Sequence, residues 1–103
     1  MSKVYITQDN NKNYTASHGF GDPEFITDLE YSSVANSKRN ENILEQVKQT
    51  SFVYDPEVDF ILLSGDPVII GLVMHQLLKE HGRINLLKWD NQERKYAPLT
   101  ISE

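Results

Sequence analysis

The side chains best suited to chemistry fall in two short stretches. Ser64-Gly65-Asp66-Pro67 directly follows the apolar run Phe60-Ile61-Leu62-Leu63. Lys88-Trp89-Asp90-Asn91-Gln92-Glu93-Arg94-Lys95-Tyr96 closes a second apolar run. An unbroken apolar run of this length is expected of a strand buried on both faces of a sheet. Asp66 then suits the N-cap of a helix and Pro67 its first position. A helix start offers unpaired N–H groups and the positive end of a dipole, which attract phosphate. A capping carboxylate at Asp66 fills that place and repels an anion. It is better matched to a ribose hydroxyl, an amine or a cation. Gly65 leaves room for a close backbone approach, Trp89 offers a flat stacking face, and Arg94 carries a fork of donors. Ser64, Gly65, Asp66, Trp89, Asp90 and Arg94 are therefore the candidate residues for binding a ligand or partner. The plainer reading is a capped turn and a solvated hairpin.

Nothing in the chain spells out a catalytic centre. Neither the phosphate-loop pattern nor the dinucleotide glycine fingerprint is present. His18, His75 and His81 are scattered without metal-ligand spacing. Ser64 has no base close in sequence. There is no cysteine, which excludes disulfides, thiolate metal sites and thiol catalysis. No catalytic residue, cofactor or metal ligand is assigned.

The elements that must position these residues read as β-β-α-β-α-β-β, a single α/β domain over residues 1–103 with a small mixed sheet. Strands are expected near residues 3–7 and 24–27, separated by a polar surface loop over residues 8–23. A second loop over residues 30–40 leads to a helix over 40–50, with Asn40 as N-cap and Ile43, Leu44 and Val47 as its apolar stripe. After Phe60–Leu63, expected as the central strand, comes a largely apolar helix from Pro67 to about Glu80, containing Val68, Ile69, Leu72, Val73 and Leu77. Gly82 is its left-handed stop. Ile84 to Trp89 forms the next strand, so residues 59–89 make a parallel βαβ unit. Tyr96 to Ile101 returns as the antiparallel arm of a C-terminal hairpin, and Pro98 confines that arm to the sheet edge.

Charge and hydropathy narrow the setting. The 103 residues carry a net charge of −5, which argues against nonspecific nucleic-acid binding. The charge is uneven: residues 1–78 sum to −6, while residues 79–95 sum to +2. No apolar run reaches membrane-spanning length. The start, Met1 to Ile6, turns to strand-like sequence at once and lacks signal-peptide features, so a cytoplasmic protein is expected.

Three segments carry a resemblance: Val4-Tyr5-Ile6-Thr7-Gln8, Leu63-Ser64-Gly65-Asp66-Pro67, and Leu87-Lys88-Trp89-Asp90-Asn91-Gln92-Glu93-Arg94-Lys95-Tyr96-Ala97-Pro98. With them the chain resembles a family of small proteins encoded by tailed bacteriophages and prophages. The resemblance implies an accessory protein made in the cytoplasm of the infected host cell. It brings no catalytic residues with it. Three functions follow as expectations. The first is a non-enzymatic accessory protein that binds a host or phage macromolecule, a protein above all, through a sheet edge, the basic stretch over residues 79–95 and Trp89. The second is a nucleotide or small-ligand binder, a sponge or sensor, using Gly65, Asp66 and Trp89. The third is a small enzyme on a phosphorylated substrate, with Asp66 and Asp90 as acid–base or cation-holding groups. The two open edges of a small sheet lead to an expected homodimer.

Overall fold

The computed structural model describes residues 2–103. Five strands form one mixed sheet: β1 (Lys3–Ile6), β2 (Asp22–Phe25), β3 (Phe60–Leu62), β4 (Arg83–Asp90) and β5 (Lys95–Ser102). Their spatial order is β2-β1-β3-β4-β5. The first four run parallel, and β5 is antiparallel to β4. Two helices, α1 (Lys38–Val53) and α2 (Pro67–His81), complete the expected element order, and a 3-10 helix lies at Thr15–Phe20.

The chain moves one way across the sheet from β1 to β2 and the other way from β2 to β3 to β4. Crossovers of one hand that run in opposite directions must lie on opposite faces. Accordingly α1 and α2 share one face. Ile43 and Val47 from α1 and Ile69, Val73 and Leu77 from α2 bury there against Tyr5, Ile61, Ile84 and Leu86. The other face carries Val4, Ile6, Leu62 and Leu87, and Tyr14 and Phe20 from the β1–β2 connection cover it. Ile61 and Leu62 thus point to opposite cores, and both are almost fully buried in the middle strand. That is the reason the run has no polar face.

Several local expectations shift. Strand β2 lies two residues earlier than expected and contains Pro23, which an edge strand tolerates. Ile26 still donates to Ile6 O at 2.8 Å, so pairing fades rather than stops. Helix α1 begins at Lys38 after Ser37, so Asn40 is not its cap. The buried Asn40 amide instead brackets Ser32, accepting from its N–H and donating to its carbonyl, both at 2.7 Å. Leu44 and Val68 are exposed and Leu72 is half-buried, because each helix turns only an i, i+4 stripe to the sheet. Asp66 caps α2, Pro67 opens it, and Gly82 closes it at φ 76°. Pro98 lies in β5 at the far edge of the sheet.

Candidate functional site

In this strand order the topology reverses between β1 and β3, and open α/β sheets take ligands at the carboxyl ends beside such a point. Here the chain's own side chains fill that crevice. Thr7 Oγ1 donates to Ser64 O at 2.6 Å and accepts from Ser64 N–H at 2.8 Å. Gln8 lies over Gly65: its Oε1 accepts from Asp66 N–H at 2.5 Å and its Nε2 donates to Leu29 O at 2.8 Å. Gly65 has φ +85°, and a Cβ there would lie 2.7 Å from Gln8 Cβ. Glycine is required at this position because the Gln8 side chain packs where a side chain would go.

The Asp66 carboxylate serves the backbone on both oxygens. Oδ1 accepts from Val68 N–H at 2.9 Å, the capping bond, and Oδ2 accepts from Tyr31 N–H at 3.1 Å. The second bond pins the connection between β2 and α1 to the start of α2. Asp90 behaves likewise in the β4–β5 turn: its Oδ1 accepts from the N–H groups of Gln92 and Glu93 at 2.9 and 3.1 Å. Arg94 is exposed in that turn, in the left-handed region at φ 54°.

A wide hollow of about 570 Å³ lies between the connection over residues 31–37, the start of α1 and Val68. The open space nearest the filled crevice lies one strand over, on the face away from the helices. A cleft of about 260 Å³ is lined by Leu62, Leu63 and Ser64 from the end of β3, by Trp89 and Tyr96 from the hairpin, and by Lys12, Asn13 and Tyr14 from the β1–β2 connection. Trp89 and Tyr96 are register partners whose rings meet edge to face, with centroids 5.0 Å apart. The indole remains 42% exposed, so it has surface left for a visitor. The Tyr14 hydroxyl and Ser64 Oγ are 2.9 Å apart and close the inner wall. Burial pushes the Tyr96 phenol above its ordinary value of 10.0, and the neighbouring Tyr14 adds to the shift, so Tyr96 stays a neutral donor at physiological pH. Aromatic walls and the nearby Lys12 ammonium suit a planar ring that also carries an anionic group, while the buried hydroxyl pair is already hydrogen-bonded within the chain.

Of the six residues singled out by sequence, Ser64 and Trp89 line this cleft. Gly65 and Asp66 sit behind it in the closed crevice. Asp90 lies by a shallower hollow on Trp89 with Lys88, Asn91 and Ala97. Arg94 lines neither space. Tyr96 was legible in principle, since a turn over residues 91–94 places it opposite Trp89. Tyr14 carried no such signal, because it is one aromatic in a polar stretch whose path across the sheet is a tertiary fact. Among the described residues no three His, Asp or Glu side chains gather as a metal site. No helix among them is long and apolar enough to cross a membrane.

These features define a small mixed α/β domain with helices on one face, a loop on the other, and an aromatic cleft near the carboxyl ends of its parallel strands. The chain belongs to the family described as phage Pam3 gp32-like protein, whose sequence profile matches residues 2–103. No curated protein and no solved structure matches it.

Proposed function

We propose that this phage-family protein acts by binding rather than by catalysis, and that its ligand is a nucleotide or a similar small molecule with a planar ring. The observation that carries the reading is the cleft between Tyr14, Trp89, Tyr96 and Ser64. Its volume of about 260 Å³ lies just under the usual range for small-molecule pockets, so it takes the flat ring of such a ligand and leaves the rest outside. Lys12 at the mouth supplies a positive charge for a phosphate. The carboxylates that a catalytic reading needs, Asp66 and Asp90, already accept backbone N–H groups. The role is that of an accessory protein in the host cytoplasm, acting as a sponge or sensor.

Trp89 is the chain's single tryptophan and one wall of the cleft, so it reports binding directly. Titration of the purified protein with a panel of nucleosides and nucleotides should quench its fluorescence saturably. A ligand at about 100 times its Kd should also stabilise the fold by roughly 2.7 kcal/mol. Tyr96→Ala should abolish the response. If no member of the panel changes either the fluorescence or the melting temperature, the cleft is not a nucleotide site.

A further inference from the structure

We infer that the free edge of β2 docks an extended basic segment of a partner protein. This rests on the end of the sheet opposite Trp89 and Tyr96, and it meets the aromatic cleft only where the Phe25 ring packs edge to face on Tyr14, with centroids 5.6 Å apart. Asp22 N–H donates to Ser2 O at 3.0 Å and Ile26 N–H to Ile6 O at 2.8 Å. In a parallel ladder the residues that face the neighbouring strand alternate, so Asp22, Glu24 and Ile26 turn their backbone to β1. Pro23 and Phe25 turn theirs outward, at the edge of the sheet. Pro23 has no N–H. The edge therefore offers two carbonyls and one N–H, all unpaired among the described residues, and all four residues of β2 are exposed.

The side chains state what would fit. Glu24 is the register partner of Tyr5, whose ring lies in the helix-side core, so Glu24 and Asp22 project on that side. There Glu24 borders an open cleft of about 320 Å³ against Gln49, Thr50 and Val53 of α1. Asp22, Glu24, Asp28 and Glu30 stand in a stretch, residues 13–37, that has no Lys or Arg. None of these four carboxylates is in an ion pair among the described residues. On the other side Phe25 is 44% exposed, and beside the cleft Val53 is 61% exposed. An added strand with Lys or Arg at alternate positions would meet the carboxylates with one face, while apolar residues between them meet Phe25 with the other. A second copy of this chain fits badly, because two paired β2 edges would set carboxylates against carboxylates.

The test uses a short fluorescent peptide alternating Lys and Val, its Glu/Val counterpart, and a Lys/Val peptide N-methylated at alternate residues. Fluorescence anisotropy with the full chain should show saturable binding of the first peptide alone, weakening with salt. Asp22→Lys combined with Glu24→Lys turns attraction into repulsion and should weaken binding about tenfold. Both side chains are exposed, and circular dichroism checks that the fold is kept. Glu93→Lys, in the turn at the far end of the sheet, should leave binding unchanged. The inference is overturned if the Lys/Val peptide does not bind at low salt. It is overturned equally if the N-methylated peptide binds as well, or if Glu93→Lys weakens binding as much, since bulk charge would then suffice. A change in the protein's own mass in light scattering on charge reversal would assign the edge to self-association instead.

Discussion

Replacing Asp66 in two different ways separates its two bonds. Asp66→Ala removes both the cap on Val68 N–H and the bond to Tyr31 N–H. Loss of a good N-cap costs about 1 kcal/mol. Loss of a hydrogen bond to a charged acceptor costs about 1.5–3 kcal/mol, toward the low end where the donor is only partly buried, as here. Together these give a loss of about 2–4 kcal/mol. Asp66→Ser keeps a capping oxygen but is too short to hold Tyr31 as well, so it should lose about 1–2 kcal/mol. Urea unfolding followed by Trp89 fluorescence measures both variants, and each kcal/mol should lower the melting temperature by roughly 4–8 °C in a domain of this size. If serine is as damaging as alanine, the cap contributes nothing. If alanine costs less than about 0.5 kcal/mol, the carboxylate is not the anchor described, and its charge is free for a ligand.

The other predictions test the frame around the cleft. Gly65→Ala should destabilise by at least 1–3 kcal/mol in the same unfolding assay, since it adds left-handed strain to a collision with Gln8. Ile61→Ala should cost about 2–5 kcal/mol, the range for an emptied core site, and a loss under 1 kcal/mol would show that β3 is not central to the core. The Tyr5 phenol is pushed up from 10.0 to about 12 by burial, then by the charges of Asp59 and Glu24. The folded state then holds its proton more tightly than the unfolded chain does. The stability from this group is complete below pH 10 and falls as pH rises from 10 toward 12. Tyr5→Phe should flatten that part of a stability–pH curve.

Local chemistry sufficed for much of the frame. The Asp66-Pro67 start and Gly82 stop of α2 follow from cap and φ preferences that hold in almost any context. The pairing of β4 with β5 follows from a short polar turn between two strand-like runs. The central place of Phe60–Leu62 follows from its lack of any polar face. What sequence could not decide were partners far apart along the chain. Asn40 has the residue type of a cap, yet it braces Ser32 because α1 starts two residues earlier. Gly65 reads as room for a ligand, but Gln8, 57 positions away, occupies the space. The cleft itself joins Tyr14 to Trp89 and Tyr96 only because the β1–β2 connection crosses the face that the helices leave bare. Caps and turns are set by neighbours in sequence. The contents of a crevice are set by whichever side chains the topology brings to it.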